Sequence, residues 1–131
     1  MKKLFALVLC GCVALSLFGL GTQEAEAIPA FKKEFDDMYV KKDSADPKEK
    51  GFAEAVAKVK CNVCHVGTKK KDKNAYGIEL DKLLDKKADV KDAAKIQDAL
   101  KKVAEMHSKP GDDSSPTYGD LIKEGKLPCE E

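Results

Sequence analysis

The chain of 131 residues contains no tryptophan, and its aromatic residues make up only 6% of the total. It also lacks an excess of either charge, because 24 basic and 23 acidic residues leave a formal net charge of +1. A balanced charge gives no electrostatic basis for binding nucleic acid or for strong attachment to a membrane surface. Strand signals are scarce as well, since no segment sustains a period-two alternation and β-branched runs are few. A β-fold is therefore not expected.

The apolar residues that are present recur at spacings of three and four positions, which is typical of amphipathic helices. The four stripes consist of Phe31, Phe35, Met38 and Tyr39; of Phe52, Ala55, Val56 and Val59; of Tyr76, Leu80, Leu83 and Leu84; and of Ile96, Leu100 and Val103. A short last helix is expected over Tyr118 to Glu124. The pattern predicts an all-α domain of four to five helices.

Polar and helix-breaking residues suggest where these helices begin and end. Pro47 interrupts a charged connector that we place between Lys41 and Gly51. Asp72 or Asn74 is expected to cap the third helix. The fourth helix is expected to run from about Asp92 to His107 and to stop before Pro110-Gly111.

The N-terminal segment has the pattern of an export signal. Lys2 and Lys3 precede an apolar run from Leu4 to Leu20, and Ala25-Glu26-Ala27 resembles an A-x-A cleavage site. A membrane anchor is the alternative, but about 17 apolar residues are marginal against the roughly 20 that span a bilayer. We expect residues 1–27 to be a cleaved signal peptide and residues 28–131 to form one exported domain with no membrane span.

The segment Cys61-Asn62-Val63-Cys64-His65 has the form C-x-x-C-H, the attachment sequence of a c-type haem. Cys61 and Cys64 would each form a thioether to the porphyrin, and His65 would bind the iron as proximal ligand. The export signal agrees with this interpretation, because c-type haem is attached outside the cytoplasm. One haem c would also give a small domain that is poor in aromatics a large apolar surface on which to build its core.

Removing the signal changes the number of available cysteines. Cys10 and Cys12 would leave with it and haem would occupy the two motif thiols, so Cys129 would remain alone. A lone thiol in an exported protein requires an explanation. A zinc site would need two more ligands, and Cys129 and His107 lie at no zinc-like spacing.

The position on the iron opposite His65 has several candidate ligands. They are Met38, Met106, His107, Cys129 and no protein ligand at all. Cys129 ranks first because iron would protect an otherwise oxidisable thiol, and because Gly125 would allow the chain to turn towards it. Met106 and His107 remain open, whereas Met38 fits better as core.

Four segments of the chain resemble the small planctomycete monohaem cytochromes c. They are Lys60–His65, Lys69–Lys71, Asn74–Gly77 and Gly119–Pro128. Within that group the chain most resembles a subunit of the NaxLS-type cytochromes c of anaerobic ammonium-oxidising bacteria. The resemblance implies a heterodimer with a related small cytochrome c, His65/Cys129 axial ligation, and a periplasmic or anammoxosome location.

Such ligation suggests what the protein does. A thiolate stabilises ferric iron, and its release on reduction would open a position for a small gas such as NO or CO. The first hypothesis is therefore redox-gated gas binding. The alternative is a low-potential single-electron carrier that docks redox partner proteins through Lys69, Lys70, Lys71 and Lys73. An enzyme is not expected, because no distal acid–base residue other than His107 is evident.

Overall fold

A computed structural model describes residues 24–129, and this part of the chain is helical without a β-strand. It contains α1 (Glu24–Tyr39), α2 (Pro47–Val59), a 3₁₀ turn (Lys60–Val63), α3 (Ala75–Leu83), α4 (Ala93–Ala104) and α5 (Tyr118–Lys123). The predicted all-α class is confirmed. Among the described residues, no helix is both long enough and apolar enough to cross a membrane.

The signal-peptide prediction falls mostly outside the described residues. The basic start, the apolar run Leu4–Leu20, Cys10 and Cys12 all lie there. The first helix begins at Glu24 and so includes the predicted cleavage segment Ala25-Glu26-Ala27. Cleavage after Ala27 stays a prediction.

Helix caps account for most of the observed boundaries. Asn74, one of the two predicted caps, caps α3, and Asp92, the predicted start of the fourth helix, caps α4; each accepts a hydrogen bond from a backbone N–H of the first turn. The predicted connector up to Gly51 is wrong, because α2 already begins at Pro47 behind the N-cap Asp46. Proline lacks the N–H that would be unsatisfied at the first helical position, so it starts this helix rather than breaking it.

Four aromatic rings form the centre of the hydrophobic core. Phe35 lies 6.3 Å from Phe52 and 6.1 Å from Tyr76, and the Tyr76 ring lies 5.1 Å from that of Tyr118, all measured between ring centroids. The rings come from α1, α2, α3 and α5, so each contact joins two helices. Each buried side chain of this size contributes roughly 1.5–3 kcal/mol of transfer free energy. Four of the six aromatic residues in the described part of the chain are thus concentrated in one place.

The most amphipathic helix, α4, packs against α1, α3 and α5. Its buried side chains are Ile96, Ala99, Leu100 and Val103. The stripe on α1 also belongs to the core: Phe35 is only 2% exposed, and Phe31 and Tyr39 pack against the buried cluster.

A tight turn after α5 directs the C-terminal segment back onto the helices. The Gly125 N–H donates to Ile122 O at 3.0 Å and the Lys126 N–H to Leu121 O at 2.9 Å, which is the Schellman pattern. Gly125 has a φ of +80°, and a Cβ there would lie 2.7 Å from the Lys48 carbonyl oxygen. Leu127 is then buried in the core, 4% exposed. The predicted turn at Gly125 is confirmed.

We expect Gly125→Ala to lower the free energy of unfolding by about 1–2 kcal/mol, because a Cβ is disfavoured at this φ and collides with Lys48. Gly51→Ala is the matched control: nothing lies within 4 Å of its added methyl group, inside α2. The control should raise the stability by about 0.5–1 kcal/mol. Urea unfolding measures both changes in unfolding free energy. Equal changes in the two variants would contradict the requirement for glycine in the turn.

The loop between α3 and α4 is held by two aspartates. The Asp89 carboxylate, only 6% exposed as a residue, accepts hydrogen bonds from Lys95 Nζ at 2.7 Å and from the Asp85 N–H at 2.8 Å. The Asp85 carboxylate in turn accepts from the N–H groups of Lys87 and Ala88. The hydrogen bond from Lys95, followed by that from the Asp85 N–H, lowers the pKa of Asp89 below its ordinary value.

A lowered pKa in the folded state means that Asp89 stabilises the fold above the pKa of the unfolded chain, near 3.8. This contribution is lost as the pH falls through the lower pKa of the folded state. We expect Asp89→Asn to be less stable than the wild type at neutral pH, with a difference that shrinks on acidification. Thermal unfolding from about pH 7 to about pH 3 measures it, and a difference independent of pH would refute the assignment.

Candidate haem-attachment site

The C-x-x-C-H segment begins two residues after the end of α2: residues 61–63 lie in the 3₁₀ turn, and Cys64 and His65 directly follow it. The carbonyl oxygen of Cys61 accepts from the N–H groups of Cys64 and His65, both at 3.2 Å. Cys61 is exposed, whereas Cys64 is partly buried and packs against the hydrophobic core. No disulfide joins Cys61, Cys64 and Cys129 to one another. One thiol of the motif therefore faces solvent and the other faces the protein.

The residue before the motif has an unusual backbone conformation. Lys60 has φ +52° and ψ −114°, and it is the only non-glycine residue with a positive φ in the described part of the chain. Such a conformation costs on the order of 1–3 kcal/mol and persists only where the surrounding structure enforces it. The strained residue breaks the path of α2 immediately before Cys61.

Asn74 fastens α3 to the motif. Its Oδ1 accepts from the Gly77 N–H at 2.9 Å and so caps the helix. Its Nδ2 donates to the carbonyl oxygens of Asn62 at 3.2 Å and Val63 at 2.9 Å. Its backbone N–H donates to Cys64 O at 3.1 Å. One side chain thus satisfies both a helix end and the peptide groups between the two cysteines.

Gly77 allows the closest approach between α3 and the motif. A Cβ at this position would lie 2.0 Å from the carbonyl oxygen of Cys64 and 2.9 Å from its carbonyl carbon. No side chain fits there unless the backbone moves. Because position 77 is a glycine, the start of α3 can pack directly against the backbone of Cys64.

His65 follows the residues that Asn74 and Gly77 contact, and it pairs with Lys73 through an isolated β-bridge. Its Nδ1 is buried and has no hydrogen-bond partner in the structure. The segment between the two residues is a loop closed by the Val66 N–H, which donates to Asp72 O at 2.9 Å. The proposed proximal ligand is therefore held through its backbone, while one ring nitrogen is without a partner.

Cys64 and Cys129 are both partly buried and pack against the same hydrophobic core cluster. Burial is the main cause that raises the pKa of the Cys64 thiol to about 12; Cys129 adds to the rise, and the ammonium of Lys32 on α1 opposes it. The turn at Gly125 thus returns the C-terminal cysteine to the core that Cys64 also contacts, although the two lie 65 positions apart in the sequence.

The other candidate ligands lie in different surroundings. The expectation that the fourth helix runs to His107 is wrong, because α4 ends at Ala104. His107 Nδ1 instead donates to the Ser115 carbonyl oxygen at 2.5 Å, and the residue pairs with Thr117. Met38 and Met106 are partly buried against the core. The assignment of the sixth ligand to Cys129 stays a prediction.

The residues present fit a covalently bound haem. Two thiols and a histidine are presented within one turn, and the polar atoms left buried without a hydrogen bond in the described part of the chain are His65 Nδ1 and the hydroxyls of Tyr76 and Tyr118. Buried polar groups normally have partners, so each of these atoms calls for an explanation. In the same part, no group of three or more His, Cys, Asp and Glu side chains converges to hold a bare metal ion.

Sequence reasoning identified the motif but not the residues that support it. Asn74 was predicted as a cap, yet its hydrogen bonds to the motif carbonyls have no sequence signal. Gly77 and Tyr76 lie in the N-A-Y-G segment, which was noted only as part of a resemblance. The helical stripe did place Tyr76 on an apolar face, and the structure shows that its ring is buried at the motif end of α3.

Comparison of the chain with protein-family models, with curated proteins and with solved structures finds no match.

We expect Asn74→Ala to cost about 1–3 kcal/mol of unfolding free energy, since it removes a cap and leaves two motif carbonyls without their donor. Asp92→Ala is the control, because it removes an N-cap of the ordinary kind and should cost about 1 kcal/mol. Asn74→Asp keeps the accepting oxygen but cannot donate, so it separates the two roles. Urea unfolding of the haem-loaded protein measures the three variants. An equal loss of unfolding free energy in Asn74→Ala and Asp92→Ala would contradict a role of the Asn74 side chain in holding the motif.

Proposed function

We propose that this chain is an exported monohaem c-type cytochrome that binds a small gas, NO or CO, under redox control. In this proposal Cys61 and Cys64 hold the porphyrin covalently, and His65 and Cys129 are the axial ligands. The observation that carries the proposal is the position of Cys129, which the turn at Gly125 returns to the hydrophobic core that Cys64 of the C-x-x-C-H motif also contacts. Bound haem would supply one-electron chemistry and an iron with two axial positions.

The role of Cys129 follows from the chemistry of a thiolate. As an anionic donor, the Cys129 thiolate would stabilise ferric iron, and it would bind ferrous iron less tightly. The Cys129 thiolate would then take up a proton from solvent and leave as a neutral thiol, and the position would be open to a neutral diatomic gas. A permanent methionine or histidine ligand would not provide such an opening.

The C-terminal segment is suited to a ligand that leaves. Leu127 and Pro128 are buried and Gly125 fixes the turn, so Cys129 directly follows an anchored segment. Movement of the Cys129 side chain need not disturb the aromatic core. The release of Cys129 would therefore cost far less than local unfolding of a helix.

The resemblance to the NaxLS-type cytochromes extends the proposal to partners and location. A related small cytochrome c would form a heterodimer with this chain, in the periplasm or the anammoxosome. The signal peptide, residues 1–27, would direct it there. We propose a binding protein and not an enzyme.

Electron transfer is the second candidate, and the loop after His65 favours it. Lys69, Lys70 and Lys71 are all exposed, whereas Lys73 forms an ion pair with Asp81 at 3.0 Å. A cluster of exposed lysines beside a haem would steer an acidic redox partner, and its effect would weaken with added salt.

We expect the ferric protein to give a low-spin thiolate signature in its absorption and low-temperature EPR spectra. We expect the dithionite-reduced protein to bind CO. Cys129→Ala should abolish the thiolate signature, because it removes the sulfur and changes little else in a partly buried side chain. Met106→Ala and His107→Ala are the controls and should leave the signature unchanged.

Two results would contradict the proposal. Loss of the low-spin spectrum in His107→Ala alone would make the protein a bis-histidine cytochrome. A methionine or bis-histidine spectrum without CO binding after reduction would favour the electron carrier.

A further inference from the structure

Asn74 holds the backbone that joins the motif thiols to His65. Its side-chain amide donates to Asn62 O at 3.2 Å and to Val63 O at 2.9 Å, and its backbone N–H donates to Cys64 O at 3.1 Å. Three consecutive carbonyl oxygens of the motif thus accept from one residue. The peptide groups between the first thiol and the proposed proximal ligand are therefore fastened to the start of α3.

The ring of His65 lacks the usual means of orientation. A histidine that binds a metal normally donates its second ring N–H to a carbonyl, a carboxylate or a water. His65 Nδ1 is buried, and no described residue accepts a hydrogen bond from it. The backbone is held instead: the His65 N–H donates to Cys61 O at 3.2 Å, and the Val66 N–H donates to Asp72 O at 2.9 Å. The direction of this ring is therefore set through the main chain.

Binding of NO to an iron weakens the bond on the opposite face, because the two ligands share one iron orbital. A haem protein that binds NO is therefore at risk of losing its proximal histidine as well as its distal ligand. We infer that Asn74 is a positioning residue that decides which axial ligand is lost, because it keeps His65 on the iron when NO replaces Cys129. The inference rests on the His65/Cys129 ligation of the proposed function.

The backbone of the motif is decisive because it would connect the haem tethers to the ligand. Cys61 and Cys64 would hold the porphyrin, and His65 directly follows, so the alignment of its ring with the iron depends on the peptide between them. Without the Asn74 amide, two carbonyl groups between the cysteines would lose their donor and would turn to find another. The histidine would then no longer be held in its binding geometry in advance, and NO would displace it more readily.

Asn74→Ser separates the bonds to the motif from the helix cap. Serine is also a good N-cap, so α3 keeps its capped end, whereas a serine hydroxyl lacks the amide that donates to the two motif carbonyls. Asp92→Ala is the control for a general loss of stability, because it removes the N-cap of α4. Each variant is prepared as the haem-loaded full protein.

The test reduces each protein with dithionite, adds NO and records the low-temperature EPR spectrum. A histidine retained opposite NO adds hyperfine splitting from a second nitrogen, and loss of the histidine removes this splitting. We expect the wild type and Asp92→Ala to show it. In Asn74→Ser, the ratio of the adduct without histidine to the adduct with histidine should rise roughly tenfold, the factor that corresponds to about one hydrogen bond.

Three results overturn the inference and leave the proposed ligation intact. They are a wild-type NO adduct without the second nitrogen, an Asn74→Ser spectrum identical to that of the wild type, and an equal change in Asp92→Ala, since lower stability alone would then release the histidine. Absence of the ferric thiolate signature in the wild type, or of NO binding after reduction, would overturn the proposed function and the inference together.

Discussion

The contact between the start of α3 and the C-x-x-C-H turn holds the candidate site in place. Asn74 satisfies the peptide oxygens between the two cysteines, and Gly77 lets the α3 backbone approach Cys64 O to a distance that no other residue permits. This contact holds the C-terminal end of the turn that begins at the strained residue Lys60. The aromatic core lies directly behind it, since Tyr76 belongs both to α3 and to the ring cluster.

The same contact links stability to the proposed chemistry. Tyr76, which lies between Asn74 and Gly77, is part of the hydrophobic core, and Leu127 holds the C-terminal segment against that core. A ligand that must be released needs a firm scaffold and a short movable end, and Cys129 lies just beyond the last buried residues of the described chain.

Helix content was predictable because it depends on local patterns. The stripe Ile96, Leu100 and Val103 gave α4, and Asn74 and Asp92 gave two helix starts, since capping involves only the neighbouring three residues. The start of α2 was predicted wrongly because proline either breaks or begins a helix. Here it begins the helix, since Asp46 before it is an N-cap. His107 misled because the apolar stripe continues by spacing, while pairing with residues 115–117 ends the helix sooner.

The sequence by itself determined the all-α class and the C-x-x-C-H motif, because each depends on residues that are adjacent or one helical turn apart. It also determined the candidate ligands, because these follow from residue type. Only the tertiary structure decided which of these distant groups meet. It returned Cys129 to the core that Cys64 also contacts through a left-handed turn at Gly125, closed α3 onto the motif at Gly77, and buried the Tyr76 hydroxyl without a partner. Such meetings depend on how whole helices pack, and no local pattern in the sequence encodes them.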